Sequence, residues 1–375
     1  MAFNMMGRAV LKGYTEAGIL KLLDYAERIA QVVYGPGFEP GPAAVREGDE
    51  ALRPQVAHWL AQALGHDVDI AGWRREPSPV AVPGVSPVET LRVSMRGGDE
   101  QTLFVKHPGA AQADHPDKQS REREWRLYEE WLRADGLPVP RYYGSRRDER
   151  SGRRELYLEY LPDWSLKYQD LDHWFAAAPA LARLHAHFAP RARELEACGY
   201  LLRLDADYFR AWTERARAVV GRDSVALAAA LRDVVARYGA VAELLARQQR
   251  TLVHNDLAPK NVLVDRSQRH SRICLVDWEM AGVGCGALDL VHLTHGLDPA
   301  SARTMRDAYV AGLEGTRLLP ADGHQRALLF TACELHGTLY RLANSHLWRL
   351  PPERVAQWVG EAWELSRRFA SGSVA

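Results

Sequence analysis

Cysteine is scarce in this chain of 375 residues, which contains four: Cys198, Cys274, Cys285 and Cys333. No two of them are spaced as a C-x-x-C pair, so a zinc site or a framework of disulfide bonds is not expected. Proteins of reducing compartments use cysteine in this sparing way, and we therefore expect a cytoplasmic location.

Long hydrophobic runs and an excess of charge are also missing. No run approaches the roughly 18 apolar residues of a membrane-spanning helix, and the N-terminus lacks the long apolar segment of a signal peptide. Lysine plus arginine and aspartate plus glutamate both total 48. Nucleic-acid-binding proteins usually carry a basic excess, so neither a nucleic acid nor a membrane is expected as a partner.

The hydrophobic pattern predicts three regions along the chain. Residues 1–50 contain an amphipathic helix and form a predicted N-terminal helical extension. Residues 51–161 begin with a second predicted helix, "ALRPQVAHWLAQALG". Residues 80–161 then show the alternating pattern of strands, including a hairpin that turns at Gly97-Gly98-Asp99, with one charged helix between the strands. Residues 162–375 are mostly helical, with a short strand–turn–strand at 251–277. We expect an α+β fold with a small strand-rich N-terminal lobe and a larger helical C-terminal lobe.

Polar side chains are concentrated in the stretch "TLVHNDLAPKNVLVD". Asp256 and Asn261 are five positions apart, and Pro259 favours a loop between them. A second apolar strand, "CLVD", ends at Asp277. Strand ends are where a rigid scaffold presents side chains to a site. Two carboxylates and one amide make an oxygen-rich site of the kind that Mg²⁺ prefers, so a magnesium site is predicted here.

Phosphoryl transfer would use such a set of residues. It needs an Asp near the acceptor hydroxyl, an Asn and a second Asp on the metal, and a Lys fixed by a Glu on the other phosphates. Lys106 ends the predicted strand "TLFVK". Glu124 lies on the helix that follows, and Glu122 is the alternative partner for the lysine.

The motif "HNDLAPKN" followed by "LVDWEMAGVGCGALDL" is similar to motifs of the aminoglycoside phosphotransferase and choline kinase-like superfamily, which is related to the protein kinases. "LARLHAHF" and the E-x-x-x-Y spacing of Glu124 and Tyr128 also resemble this superfamily. The similarity covers roughly residues 55–370. The resemblance implies a bilobal protein kinase-like fold, in which an N-lobe over 51–161 binds nucleotide and a C-lobe over 162–375 carries the catalytic loop.

The resemblance implies roles for the matching positions. Asp256 resembles the catalytic Asp, and Asn261 and Asp277 resemble the metal ligands. Lys106 resembles the lysine that contacts the nucleotide phosphates, and Glu124 resembles its partner.

Further positions have roles implied in the same way. Glu159, Tyr160 and Leu161 match the hinge between the lobes, where backbone groups meet the adenine. His254 and Asp289 match positions that brace the catalytic loop and give structural support.

Several departures from the protein kinases are visible. There is no G-x-G-x-x-G motif, and we expect the loop that contains Gly84 and Ser86 to cover the phosphates instead. Trp278 and Glu279 replace the Phe and Gly of the D-F-G motif, and no A-P-E segment follows. Glu279 could be a third carboxylate of the site or a salt-bridge partner. These departures argue against an ordinary protein kinase.

The sequence therefore predicts a Mg²⁺-dependent O-phosphotransferase that moves the γ-phosphate of ATP or GTP to a hydroxyl of a small molecule, such as an antibiotic or a biosynthetic intermediate. One alternative is a kinase-like enzyme that phosphorylates Ser or Thr of a precursor peptide, with residues 1–50 docking a partner protein or a leader peptide. In either case, residues 1–50 could also mediate contact with a partner protein or with a second copy of the chain. Another is a non-catalytic nucleotide-binding pseudokinase, which would lack one of the four motif residues Lys106, Asp256, Asn261 and Asp277; all four are present.

Overall fold

The computed structural model describes residues 46–47, 50–77, 88–108, 115–147, 154–161, 165–266, 271–348 and 350–372. They form two compact units. The strand unit comprises the described residues within Met1–Gln112, Trp125–Arg133 and Pro140–Pro162, and the helical unit those within Ala113–Glu124, Ala134–Val139 and Asp163–Ala375. Gly84, Ser86 and most of the predicted extension over 1–50 lie outside the described residues.

The strand unit contains an antiparallel sheet with the spatial order β1-β2-β3-β4-β6-β5. Its strands are β1 (Arg46–Glu47), β2 (Ile70–Pro77), β3 (Val88–Met95), β4 (Glu100–Lys106), β5 (Tyr142–Arg147) and β6 (Arg154–Glu159). Two helices accompany them: α1 (Arg53–Leu64) and α2 (Arg123–Glu130), whose first two residues belong to the helical unit.

The predicted β-hairpin is confirmed as β3 and β4. The N–H of Met95 donates to the carbonyl of Asp99 at 2.8 Å, and Gly98 adopts a φ of +93° that residues with a Cβ disfavour. Leu91 and Val93 alternate with polar neighbours and are fully buried. The period of two therefore places one face of the hairpin in the core of the strand unit.

Helix α1 completes this core through Val56, Trp59 and Leu60, which join the buried side chains of the sheet. The indole of Trp59 lies directly over Gly144 in β5. A Cβ added at Gly144 would lie 2.1 Å from Cε2 of Trp59. Only glycine fits at this position while the indole stays in place.

The helical unit is built mainly from eight helices in the described residues. They are α3 (Leu171–Phe188), α4 (Ala192–Ala197), α5 (Ala206–Asp223), α6 (Val225–Ala246), α7 (Ala287–Thr294), α8 (Pro299–Gly312), α9 (Gly323–Asn344) and α10 (Pro352–Ser371). Side-chain caps begin several of them: Asp205 accepts the N–H of Tyr208, and Ser224 accepts that of Leu227. Helix α9 is buried along most of its length and forms the centre of the unit.

Two small sheets interrupt the helices of this unit. β7 (Leu202–Arg203), β11 (Gly282–Gly284) and β8 (Thr251–Val253) form one sheet, in the spatial order β7-β11-β8. β9 (Val262–Asp265) and β10 (Arg272–Leu275) form an antiparallel pair. The predicted α+β class is confirmed. Among the described residues, no helix is long and apolar enough to cross a membrane.

Candidate active site

The polar stretch around Asp256 is a loop held at both ends by buried strands. β8 precedes it and pairs with β11, while β9 follows it and pairs with β10. A 3-10 turn over Pro259–Asn261 closes the loop, and the N–H of Asn261 donates to the carbonyl of Ala258 at 2.8 Å. We call residues 254–261 the catalytic loop, because they contain Asp256, the predicted catalytic residue.

Asp289, on α7, holds the start of the catalytic loop. Its carboxylate accepts the backbone N–H of His254 at 2.7 Å and that of Asn255 at 2.8 Å, and it lies 3.3 Å from Nε2 of His185. Asp289 is fully buried. Burial alone would raise its pKa, but the hydrogen bonds and the nearby imidazoles outweigh it, so the pKa of Asp289 is lowered.

His254 connects the catalytic loop to the strand end at Val276. Its Nδ1 accepts the N–H of Asp256 at 3.3 Å, so the ring proton belongs on Nε2, which donates to the carbonyl of Val276 at 2.9 Å. The ring also packs against Trp278, with 4.6 Å between centroids. This tautomer and this orientation bring the segments that carry Asp256 and Asp277 together.

Asn261 and Asp256 are in direct contact. The Nδ2 of Asn261 donates to the Asp256 carbonyl at 2.8 Å and to Oδ2 of its carboxylate at 3.1 Å. These two bonds fix the amide, so that Oδ1 is the atom that can meet a cation. The Asp256 carboxylate is about one-quarter exposed and lies 3.4 Å from Nζ of the more exposed Lys260.

Asp277 follows β10 in a conformation that residues with a Cβ seldom adopt, with φ +72° and ψ +60°. The N–H of Val276 donates to the Asn261 carbonyl at 2.9 Å, so Asp277 directly follows a residue bonded to the catalytic loop. Backbone strain of this kind is found at functional sites, where the surrounding contacts enforce it. The structure thus brings Asp256, Asn261 and Asp277 together in one place.

The donor set of these loops fits the predicted magnesium ion. The carboxylate of Asp277 and the Oδ1 of Asn261 are hard oxygen donors on adjoining segments. Mg²⁺ binds through one or two such protein groups and completes its shell with water and substrate phosphates. Asp256 adds a second carboxylate close to Asn261.

Glu124 belongs to the same unit as these loops. It is buried, and its Oε1 accepts the N–H of Trp278 at 3.2 Å, next to Asp277. Glu122, the alternative lysine partner, is exposed. Lys106 lies in the strand unit, where β4 pairs it with Val88 and Leu156.

The predicted hinge residues also lie in the strand unit. The backbone N–H of Glu159 donates to the carbonyl of Arg141 at 2.9 Å, and its Oε2 accepts the N–H of Arg141 at 3.0 Å. Tyr160 and Leu161 are half-buried. The roles of Lys106 and of these hinge residues stay predictions.

Lys118 is a site residue that the sequence reasoning missed. Its ammonium forms an ion pair with Oε1 of Glu279, which lies two residues after Asp277. Of the two roles left open for Glu279, the structure therefore shows the salt-bridge partner. Arg123 fixes this pair, because its Nη1 donates to the backbone carbonyls of Asp117 and Glu279, both at 2.5 Å.

A buried polar network lies beside the catalytic loop. The Nδ2 of Asn255 donates to the hydroxyl of Tyr208 at 2.9 Å and to Oδ2 of Asp117 at 3.2 Å, and Tyr208 donates to the same oxygen at 2.8 Å. Burial raises the pKa of Asp117 to about 6 despite these donors. Asn255 lay within the recognised motif, but no local signal pointed to Tyr208, which is 47 positions away.

A buried aromatic cluster continues from this network. His115 lies two positions before Asp117, and its Nε2 is 3.0 Å from the hydroxyl of Tyr340. The ring of Trp212 is 4.5 Å from that of Tyr340 and 5.5 Å from that of His115. Burial lowers the pKa of His115 to about 4, so the imidazole is neutral at pH 7.

The strand unit contains a second charged cluster, formed by Glu89, His107 and Glu155. Arg75 lies among these groups and donates to Glu155 at 2.8 and 3.1 Å and to Glu89 at 3.0 Å. Burial would raise the pKa of Glu155, but hydrogen bonds from Arg75 and its neighbours lower it to about 2. The guanidinium already supplies the positive charge that a metal would bring, so we interpret this cluster as an ion-pair network of the sheet.

Comparisons with solved structures support the fold. The chain is 18% identical to a microcompartment-associated aminopropanol kinase, covering 87% of this chain and 99% of that one, with a TM-score of 0.54. It is 16% identical to a putative aminoglycoside phosphotransferase from Ralstonia eutropha JMP134, covering 84% and 98%, with a TM-score of 0.52. For wild-type aminoglycoside 2′-phosphotransferase-IIIa in its GDP complex, the identity is 15%, the coverage 86% and 99%, and the TM-score 0.50. At sequence identities this low, the structural similarity shows a shared kinase-like fold and nothing further.

A comparison with curated protein sequences gives no match. A family model described as "Phosphotransferase enzyme family" matches residues 86–329. This match includes the catalytic loop, Asp277 and Asp289, and it confirms both the resemblance drawn from the motifs and the predicted enzyme class. Because it spans well over half of the sequence, the chain belongs to the phosphotransferase enzyme family.

Proposed function

We propose that this protein is a Mg²⁺-dependent kinase that transfers the γ-phosphate of ATP or GTP to a hydroxyl of a small molecule. One observation supports it above the others: Asn261 bonds to the Asp256 carboxylate, and its carbonyl is tied to the residue before Asp277. The proposed base and the proposed cation ligands therefore lie on adjoining segments, which suits transfer of a phosphoryl group to an alcohol.

Asp256 is the proposed catalytic base. The acceptor hydroxyl oxygen attacks the γ-phosphorus, and the bond from that phosphorus to the β–γ bridging oxygen breaks. The hydroxyl proton passes to the Asp256 carboxylate, and the products are a phosphate monoester and a nucleoside diphosphate. The contact from Nδ2 of Asn261 keeps the carboxylate oriented for this proton transfer.

Asn261 and Asp277 are the proposed magnesium ligands. When bound, the ion would offset the negative charge of the phosphates. His254 and Asp289 are the proposed braces of the loop, because their hydrogen bonds fix the backbone on either side of Asn255.

The remaining roles follow from the family resemblance. Lys106 is proposed to contact the phosphates of the nucleotide, with Glu124 as its partner. The hinge segment Glu159–Leu161 is proposed to meet the base through its backbone, and Gly84 and Ser86 are proposed to cover the phosphates.

The charge state of the groups beside the catalytic loop supports a neutral acceptor. His115 and Tyr340 contact each other beside the network of Asp117, and the charge of Asp256 acts on both. His115 is uncharged at pH 7, and Asp117 shares its carboxylate with Tyr208 and Asn255. A polycationic acceptor would need several unshared carboxylates, and Asp117 does not supply one.

The test is transfer of labelled γ-phosphate to a library of hydroxylated compounds and Ser- or Thr-containing peptides, with products identified by mass. We expect label on a neutral small molecule, only with Mg²⁺, and loss of turnover in Asp256→Asn although that variant still binds nucleotide. Near-normal turnover of Asp256→Asn would overturn the role of Asp256. Label on a peptide, lost on deleting residues 1–40, would instead establish the precursor-peptide alternative.

A further inference from the structure

The half-buried ammonium of Lys118 is paired with one carboxylate and feels the charge of two others. Lys118 forms its ion pair with Glu279, and the charges of Asp277 and Asp256 also act on it. Burial alone would lower the pKa of Lys118, but Glu279 and the two aspartates outweigh it, so the pKa is raised and the side chain is a cation at neutral pH. The proposed base and one proposed metal ligand therefore share a resident positive charge.

The position of Lys118 is fixed by a rigid contact. Arg123 is buried and donates to the backbone carbonyls of Asp117 and Glu279. Asp117 directly precedes Lys118 in the chain, and Glu279 is the ion-pair partner of Lys118. The same guanidinium donates through Nε to the carbonyl of Tyr200 at 3.0 Å. The ammonium is thus held in place before any substrate binds.

The choice of lysine at this position is informative because the chain uses so few. Only six of its 48 basic residues are lysine, and the other 42 are arginine. Arginine forms most of the ion pairs in the described residues, including the bidentate pair of Arg75 with Glu155. A purely structural salt bridge could use either residue. A compact ammonium differs from a guanidinium in acting as a point charge, which suits one phosphate oxygen within a crowded site.

We propose that Lys118 binds the terminal phosphate of the nucleotide, with Glu279 holding its ammonium beside Asp256 and Asp277. This inference rests on the proposed function and adds a second phosphate-binding lysine to Lys106. An ammonium has three N–H donors, so it can bond to Glu279 and to a phosphate oxygen at the same time. Bound in this way, Lys118 would also stabilise the negative charge of the γ-phosphoryl group during transfer.

The experiment compares the binding of nucleoside triphosphate and diphosphate. Calorimetry with Mg²⁺ measures Kd for the β,γ-imido analogues of ATP and GTP and for ADP and GDP, which lack the terminal phosphate. In Lys118→Met, we expect triphosphate affinity to fall about ten- to a hundredfold, the usual loss for a charged hydrogen bond. Diphosphate affinity should change less than about twofold, and Lys118→Gln should behave in the same way.

Two further variants separate this role from a structural one. Lys167→Met removes an exposed lysine of the helical unit and should leave both affinities unchanged. The double variant Lys118→Met with Glu279→Gln removes the ion pair without leaving a lone carboxylate. If Lys118 only neutralises Glu279, the double variant recovers triphosphate binding; if its ammonium contacts the phosphate, binding stays weak.

The outcomes separate failure of this inference from failure of the proposed function. If the wild-type protein binds neither nucleotide, the proposed function fails and this inference fails with it. Two outcomes with a wild type that binds both nucleotides would overturn the phosphate role of Lys118 alone. In one, Lys118→Met lowers the triphosphate and diphosphate affinities equally; in the other, it changes neither affinity. Recovery in the double variant overturns it as well. Thermal unfolding of each variant identifies any that has lost its fold, and the glutamine variant then replaces methionine.

Discussion

The side-chain amide of Asn261 donates to the carboxylate of Asp256 at 3.1 Å and to its backbone carbonyl at 2.8 Å. One residue therefore orients the proposed base and turns its own Oδ1 towards the proposed cation. These two duties can be separated by substitution.

Asn261→Ala removes both the hydrogen-bond donor to Asp256 and the proposed oxygen ligand of the cation. We expect phosphoryl transfer to slow by roughly a hundred- to a thousandfold, as when a preorganised polar group is lost from an active site. The Mg²⁺ concentration for half-maximal rate should also rise, because one oxygen ligand is missing. Steady-state rates across a magnesium titration measure both effects.

Asn261→Asp keeps an oxygen ligand but loses the donor to Asp256. The rate of transfer should therefore fall, with a smaller change in its magnesium dependence. An unaltered magnesium dependence in the alanine variant would remove Asn261 from the metal site.

Asp289→Asn should destabilise the fold through the catalytic loop. The buried carboxylate accepts two backbone N–H groups, whereas an amide offers one oxygen and turns an NH₂ group towards the other N–H. A buried donor left unsatisfied costs about 1–3 kcal/mol, and we expect a loss of this size in the free energy of unfolding. Denaturant titration measures it.

Asp298→Asn is the matched control for this change. Asp298 also accepts two backbone N–H groups, from Ala300 and Ser301, but does so at the exposed start of α8. Asparagine caps helices about as well as aspartate, so the free energy of unfolding should stay close to that of the wild type. Equal losses in the free energy of unfolding for the two substitutions would show that the contact of Asp289 with the catalytic loop stabilises the protein no more than an exposed helix cap does.

The sequence predicted the part of the site that lies on contiguous segments. Asp256, Asn261 and Asp277 stand at strand ends within a short motif, and each strand has a clear apolar run. Lys118 could not be found in this way, because its partner Glu279 is 161 positions away and Lys118 itself lies in a charged segment without a motif. The same holds for Tyr208 and its bonds to the loop.

The fold was predicted unevenly for a similar reason. Helices α1, α3, α5, α6 and α10 follow their periodic apolar positions, and the hairpin of β3 and β4 follows its alternation. Strand β2 was not predicted, because "IAGWRREP" contains Gly72, two adjacent arginines and a final proline, all of which weaken a strand pattern. Arg75 fits the sheet because Glu155, 80 positions later, satisfies its guanidinium. Such pairing cannot be read from a local window.

Gly144→Ala should destabilise the strand unit. Its new Cβ would lie 2.1 Å from the Trp59 indole, which is packed in the core and cannot move aside without disturbing Val56 and Leu60. Overpacking of this kind costs about 1–3 kcal/mol, measured as a loss in the free energy of unfolding.

Gly239→Ala is the control, because Gly239 is exposed in α6 with no atom within 4 Å of the added Cβ. That change should stabilise the helix by about 0.5–1 kcal/mol. If both glycines tolerate alanine equally, the indole is not confined as described.

His336 should make the protein less stable in acid. It is buried in α9, its Nδ1 lies 2.8 Å from the Tyr238 hydroxyl, and burial lowers its pKa from 6.5 to about 3. A histidine with a lowered pKa in the folded state binds its proton more readily when unfolded. Its contribution to stability is therefore complete above about pH 6.5 and is lost as the pH falls towards 3. The slope is about 1.4 kcal/mol per pH unit for one proton, or on the order of 3 kcal/mol between pH 6.5 and pH 4.

Denaturant titrations from pH 8 to pH 4 should thus show a steeper acid loss of stability in wild type than in His336→Asn, which has no titrating group at this position. Tyr238→Phe removes the hydrogen bond but keeps the imidazole, so it should lower stability at every pH and leave the acid slope unchanged. Parallel curves for wild type and His336→Asn would show that this imidazole is protonated as easily in the folded protein as in the unfolded chain.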